Sequence, residues 1–229
     1  MTATKTLPNH NEETTGLTPQ SIRTFIAIDF PAVAKQKLAA VQQALALACA
    51  STGVQWTPLP NFHLTLFYLG TTPAPLRAGI ETALELAARD CSPFVISFKG
   101  LGAFPRPDRP RVVFLDVADP SGGLQRLHDT VCASLARFDF KPDFATYRPH
   151  VTLGKAGRQA SSRTIQALGA AVQAGLASLP SSLIIDELVF FQSVPTRNVP
   201  AYEALQRMPL LGMGTQAAEP YGSAKSRDN

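Results

Sequence analysis

The sequence predicts an α+β fold built from two similar sheet-plus-helix halves. Two observations carry that expectation. Along residues 21–210, β-rich apolar runs alternate with helical periods, and Gly and Pro mark the joins. One short phrase, His-x-Thr-Leu, also occurs twice, as His63-Leu64-Thr65-Leu66 and His150-Val151-Thr152-Leu153, at matching places in the two element orders.

The elements follow in order. Arg23 to Asp29 reads as a buried strand, and Pro31 opens a helix to about Ala50 at a position that suits proline. Gln55-Trp56 starts a short extended piece. Phe62 to Leu69 is a strand that Gly70 ends, and Pro75 to Arg89 is a second helix. Pro93 to Lys99 and Arg111 to Val117 are β-rich, with a Gly/Pro/Arg-rich loop over 100–110 between them. In the second half, Ser121 to Phe138 is an amphipathic helix, Tyr147 to Lys155 a strand and Ser161 to about Ala177 a helix. Leu183 to Ser193 is one long apolar strand that pairs with Ala201 to Arg207. The expected organisation is one bilobal domain, 21–210, with lobes of about 21–105 and 106–210 that place equivalent strands side by side across a pseudo-twofold axis. Polar tails flank it over 1–20 and 211–229.

Composition narrows the class. The 229 residues are 45% hydrophobic and 17% charged, enough for a substantial core. A net charge of +4 suits an anionic substrate without reaching that of a histone-like binder. Cys49, Cys91 and Cys132 are too scattered for a disulfide framework or a CxxC site, so they read as reduced, packed thiols. The N-terminal stretch lacks the apolar core of a signal peptide, and no run of 18 apolar residues exists. The expectation is a cytoplasmic monomer with no membrane segment and no evident protein partner.

The repeated phrase carries the chemistry. In a strand, residues i and i+2 share a face. His63 with Thr65, and His150 with Thr152, therefore each offer an imidazole and a hydroxyl from one face, while Leu64, Leu66, Val151 and Leu153 anchor the other. Parity also puts Tyr68 opposite His63, in the core. Imidazole titrates near neutral pH, so one histidine can be neutral while the other is charged. That is the pair needed for in-line displacement at phosphorus: a base for water and an acid for the leaving oxygen. The hydroxyls can hold the non-bridging oxygens. One proton shared between two imidazoles predicts a bell-shaped profile peaking between about pH 6 and 8. Neither histidine has Asp, Glu or Cys within two residues, so no metal and no cofactor is expected. Of the other histidines, His10 lies in the tail and His128 is expected to be solvated. Arg109, Arg148, Lys155 and Arg158 are candidates to neutralise phosphates. Phe104, in the predicted loop, is the preferred stacking candidate for a base, ahead of Tyr68, Tyr147 and Trp56.

At these residues the chain resembles the two-histidine (2H) phosphoesterase superfamily, and within it the LigT-like RNA 2′,3′-cyclic phosphodiesterases once called 2′-5′ RNA ligases. The resemblance runs through Arg23-Thr24-Phe25-Ile26-Ala27-Ile28, Phe62 to Gly70, Arg109 to Phe114, Arg148-Pro149-His150-Val151-Thr152-Leu153-Gly154-Lys155 and Glu187 to Ser193. It implies a bilobal LigT-like fold and hydrolysis of a terminal 2′,3′-cyclic phosphate on RNA to a 2′-phosphate. By resemblance His63 donates the proton to the leaving 3′ oxygen, His150 activates water, and Thr65 and Thr152 hold the phosphate. Many relatives carry Arg soon after the second motif, where this chain has Lys155 and then Arg158; lysine keeps the charge without the bidentate fork. The partners implied are RNA ends or small cyclic nucleotides. The alternatives are a 2′-5′ oligonucleotide or small cyclic-nucleotide phosphodiesterase, a metal-dependent phosphohydrolase, and a non-catalytic RNA-end-binding module.

Overall fold

A computed structural model describes residues 21–49, 53–142, 146–176, 179 and 182–212. The tail expectations for 1–20 and 213–229, with His10 and the expected helix ends at Ala50 and Ala177, lie outside these residues. The described elements are β1 (Ser21–Asp29), α1 (Ala32–Cys49), β2 (Val54–Trp56), β3 (His63–Pro73), α2 (Arg77–Asp90), β4 (Phe94–Arg106), β5 (Arg109–Ala118), α3 (Gly123–Ala136), β6 (His150–Ala156), α4 (Ser162–Ala174), β7 (Leu183–Ile185), β8 (Glu187–Val194) and β9 (Ala201–Pro209).

Two antiparallel sheets result, ordered β3-β1-β8-β9 and β2-β6-β5-β4-β7. The two halves of the sequence do repeat an order: β1-α1-β3-α2-β4, then β5-α3-β6-α4-β8. The sheets do not divide as 21–105 and 106–210, however. Strand β4 of the first half pairs with β5, and β8 of the second half pairs with β1. The halves exchange their last strands, so each sheet is made from both. The equivalent motif strands β3 and β6 stand in different sheets rather than side by side in one, and meet across the space between them.

Other departures have local causes. The stretch 100–110, expected as a loop, is the long β4–β5 hairpin, turning at Pro107-Asp108. Of its two glycines, Gly102 is there for packing. A Cβ on Gly102 would lie 2.3 Å from the Phe114 ring. Gly70 does not end β3, which runs on to Pro73. It adopts φ +71° beside a bulge, where Gly70 pairs with Thr24 and Tyr68 with Phe25. The run Leu183 to Ser193 is two strands split at Asp186, one in each sheet. Helix α2 begins after a 3-10 turn at Ala74–Leu76.

Helical periodicity places the core. Leu38, Val41 and Leu45 of α1, and Leu124, Leu127, Val131 and Leu135 of α3, point inward at helical spacing and are buried. They pack with Ile26 and Ile28 of β1, and with Leu64, Leu66, Val151 and Leu153, in one continuous cluster. The hydrophobic anchors expected from the two motifs therefore hold. No helix among the described residues is long and apolar enough to cross a membrane. Cys49, Cys91 and Cys132 are free thiols, buried or half-buried.

The Gly102 contact yields a test. Gly102→Ala should cost about 1–3 kcal/mol by overpacking against Phe114. A thermal melt should show a clear drop, and an unchanged melting temperature would contradict the packing described.

Candidate active site

The two motifs present their polar side chains to the space between the sheets. In β3, Thr65 pairs with Ala27, whose face also carries Phe25 and Asp29. Asp29 stands opposite His63. In β6, His150 pairs with Asp116 and Thr152 with Phe114. The arrangement is duplicated: each motif histidine lies opposite an aspartate near the end of the neighbouring strand. Aromatic rings back both. Phe25 lies 5.0 Å and Tyr202 5.2 Å from the His63 ring. Phe114 lies 5.0 Å and Phe104 5.2 Å from that of His150.

Each imidazole is oriented in the same way. His63 Nδ1 lies 2.7 Å from the carbonyl of Asn61, and His150 Nδ1 lies 2.8 Å from that of Arg148. A carbonyl only accepts, so both Nδ1 atoms carry hydrogen and donate. This leaves both Nε2 atoms to exchange protons. His63 Nε2 meets Thr65 Oγ1 at 3.0 Å. The Asn61 carbonyl is itself placed by the Asn61 side chain, which donates to the Pro200 carbonyl at 2.7 Å.

Burial dominates the electrostatics. It disfavours the charged imidazole and pushes His63 from 6.5 down to about 4; the Asn61 carbonyl and Asp29 oppose it, while Lys35 and His150 add to it. His150 is lowered for the same reason, opposed by its hydrogen bond to Arg148. Asp29 is itself held by Lys35 at 2.7 Å and Arg207 at 2.6 Å, which outweigh its burial and lower its pKa. Asp116 has Arg148 at 3.6 Å.

These shifts have a sign in stability. Folded histidines that resist protonation bind fewer protons than unfolded ones. Their contribution is present above about pH 6.5 and is lost as pH falls toward the folded value near 4. Melting temperature should therefore fall across that window, and millimolar phosphate, which favours the charged imidazoles, should restore part of it. A melting temperature flat across the window would contradict the burial of these groups.

The remaining candidates separate. Lys155 is brought to the site by a bulge. Beyond Thr152 opposite Phe114, Gly154 pairs with Val113 and Lys155 with Val112, so Leu153 is the extra residue. Counting strictly by twos would have put Lys155 on the other face; the bulge returns it to the face of His150. A matching bulge at Leu66 turns Tyr68 onto the Phe25 face. There it is exposed and takes a hydrogen bond from Arg23, against the core position expected. Arg148 lies 5.2 Å over the Phe104 ring and 5.1 Å over that of Phe114. Phe104 lies in a strand rather than a loop, with the Phe114 ring 4.5 Å away and Arg148 over both rings. Arg158 is exposed beyond the end of β6, and Arg109 is at the hairpin turn; no contact links either to the histidines. Trp56 packs against the core, over Gly154. His128 is not solvated: its side chain is 13% exposed and stacks on Tyr147, with ring centroids 4.0 Å apart. An open hollow of about 420 Å³ adjoins the His150 side, lined by Lys99, Asp116, Tyr147 and Arg148 among others. Among the described residues, no group of three or more His, Cys, Asp or Glu is arranged to hold a metal.

Sequence reasoning missed Asp29, Asp116, Phe25, Phe114 and Tyr202. The first four carried a signal: both strands before a helix run through four apolar residues into an Asp, Phe25 to Asp29 and Val112 to Asp116. Tyr202 carried none, because its approach depends on how β9 pairs.

Two antiparallel sheets with a duplicated, Nδ1-anchored His-x-Thr pair between them define a two-histidine phosphoesterase of LigT-like fold. A family model of the 2'-5' RNA ligase superfamily matches residues 31–194, and the chain belongs to that family. An RNA 2',3'-cyclic phosphodiesterase of Aeropyrum pernix is 35% identical over 167 residues, 72% of this chain and 92% of that one. The crystal structure of TT0787 of Thermus thermophilus superposes with a TM-score of 0.69 at 22% identity, covering 83% of this chain and 99% of that one. That of E. coli LigT complexed with 3'-AMP gives 0.62 at 25% identity, covering 83% and 99%.

Proposed function

We propose that this chain hydrolyses the terminal 2′,3′-cyclic phosphate of RNA to a 2′-phosphate, without a metal, by acid-base catalysis between His63 and His150. The observation that carries it is the shared tautomer: two imidazoles anchored through Nδ1 to carbonyls, each leaving Nε2 to exchange protons, with Thr65 Oγ1 3.0 Å from that of His63. The names of the relatives and the 3'-AMP bound to E. coli LigT support the substrate class.

The chain's own groups supply each step. His150 Nε2 takes a proton from water as the water oxygen bonds to phosphorus. The bond from phosphorus to O3′ breaks, and His63 Nε2 gives its proton to that oxygen. Thr65 and Thr152, on the same faces as the histidines, donate to the non-bridging oxygens, and Lys155 and Arg148 offset their charge. Burial keeps both imidazoles neutral in the free protein, so the proton on His63 is stabilised chiefly once the phosphodiester anion is bound.

The test is a direct comparison of substrates. An RNA ending in a 2′,3′-cyclic phosphate, a 2′-5′-linked dinucleotide and a cyclic mononucleotide are each incubated with the protein. The cyclic-phosphate RNA should turn over fastest. Faster cleavage of either of the others would reassign the substrate within the same site, and binding of all three without turnover would make the chain an end-binding module.

A further inference from the structure

The motif strands β3 and β6 belong to different sheets, so no ladder of hydrogen bonds between them sets their separation. Acid-base catalysis by two facing histidines depends on that separation. One side chain spans it, and a second ties β6 to the segment that leads from β2 into β3. Tyr147, from the second half of the chain, donates its hydroxyl to the Thr65 carbonyl in β3 at 3.2 Å. Gln42, from α1 in the first half, donates Nε2 to the Leu153 carbonyl in β6 at 2.7 Å and to the Thr57 carbonyl at 2.8 Å.

Both targets lie where the backbone is irregular. The Thr65 carbonyl leads into the bulge at Leu66, and β3 is the edge of its sheet. Leu153 is the bulged residue of β6, and its carbonyl also accepts the Thr57 N–H at 2.9 Å. A bulge leaves ladder groups without their regular partners, and buried backbone groups need partners. Tyr147 gives the Thr65 carbonyl a partner at the sheet edge, and Gln42 adds a second donor to a Leu153 carbonyl already paired with the Thr57 N–H, at the two points where the chain re-aims the residues after each motif. Tyr147 is itself rigid: its ring lies at 11° to that of His128, which is held by Asp129 at 3.0 Å and meets the Cys132 thiol at 3.5 Å. It also sits three residues before His150, next to the Arg148 carbonyl that orients that imidazole.

We propose that Tyr147 and Gln42 are positioning residues, a reciprocal pair of braces, each fixing the main chain of one motif strand from the opposite half of the chain and together setting the gap between His63 and His150. This rests on the two-histidine reading of the site. Neither residue touches the reacting atoms.

Tyr147→Phe keeps the ring and its stack on His128 and removes only the hydroxyl. Gln42→Met keeps the shape and removes the donors. A misplacement of about 1 Å costs up to roughly 10²-fold in rate. Each variant should therefore lose about tenfold or more in kcat on the cyclic-phosphate RNA, with KM changed less than about threefold. The loss should be much smaller on a diester with a low-pKa leaving group, which needs less from the acid. The double variant should lose less than the product of the single losses, because both braces set one distance. Equal losses on both substrates, tracking a drop in melting temperature, would make the residues merely structural and overturn the proposal; so would unchanged kcat in both variants. An NMR titration of the two imidazoles reads the gap without substrate. The charge of His150 lowers the His63 pKa, so a wider gap should raise it in Tyr147→Phe. Imidazole titrations unchanged in both variants would overturn the braces even if the cyclic-phosphate assay were blank. A blank wild-type assay with shifted titrations would instead remove the proposed reaction and leave the braces standing.

Discussion

His63→Ala and His150→Ala are each expected to lower turnover of a terminal 2′,3′-cyclic phosphate by roughly 10² to 10⁴-fold, the usual worth of one positioned acid or base. The fold should survive both. Each imidazole faces the cleft, while the core beneath is made by Leu64, Leu66, Val151 and Leu153 from the opposite strand faces. Circular dichroism and a thermal melt at about pH 8, where neither imidazole is charged, check that directly. The double variant should be little worse than the poorer single one, because the two groups act in one step. Normal turnover by either single variant would end the two-histidine mechanism.

The second large effect is in pH. The sequence alone predicts a bell centred between about pH 6 and 8. Burial moves that expectation for the free protein. Both imidazoles titrate below 6.5, His63 near 4, so kcat/KM, which reports the free enzyme, should peak on the acid side of 6.5. The bound phosphodiester anion favours the charged form and raises both values, so kcat should peak higher, by about one unit or more. Coincident profiles at neutral pH would contradict this. The same shifts bear on roles. The larger depression of His63 makes it the weaker holder of a proton in the free protein, so its work as acid depends on the substrate's charge. A diester with a low-pKa leaving group separates the two roles. His63→Ala should be largely rescued on it, and His150→Ala should not. The reverse rescue would exchange the assignments and leave the site in place.

How much of this was legible in the sequence depends on the kind of information needed. The order of elements, the core faces of β3 and β6, and the placement of His63, Thr65, His150 and Thr152 on one site follow from strand parity and a repeated phrase. Parity fails after a bulge, and both motif strands carry one, at Leu66 and Leu153. Lys155 and Tyr68 therefore stand on faces that counting by twos denies them. Gly102 reads as a loop former, yet it sits in a strand to admit the Phe114 ring. The exchange of β4 and β8 between the halves is a long-range pairing with no local signature. The Tyr147 hydroxyl likewise depends on long-range placement, because it meets the Thr65 carbonyl only when the sheets face one another, whereas the Asn61 and Arg148 carbonyls are local, two residues before each histidine, and are backbone groups that residue type does not mark.

The most direct test of the account is a single hydrolysis carried out in excess chelator. An RNA ending in a 2′,3′-cyclic phosphate is incubated with the wild-type protein and EDTA, and the product phosphate is mapped to the 2′ or the 3′ oxygen. Undiminished turnover giving a 2′-phosphate is the predicted result. Loss of activity on chelation, restored by adding back a divalent metal, would contradict catalysis by two histidines alone, and a 3′-phosphate product would contradict the assignment of the leaving oxygen.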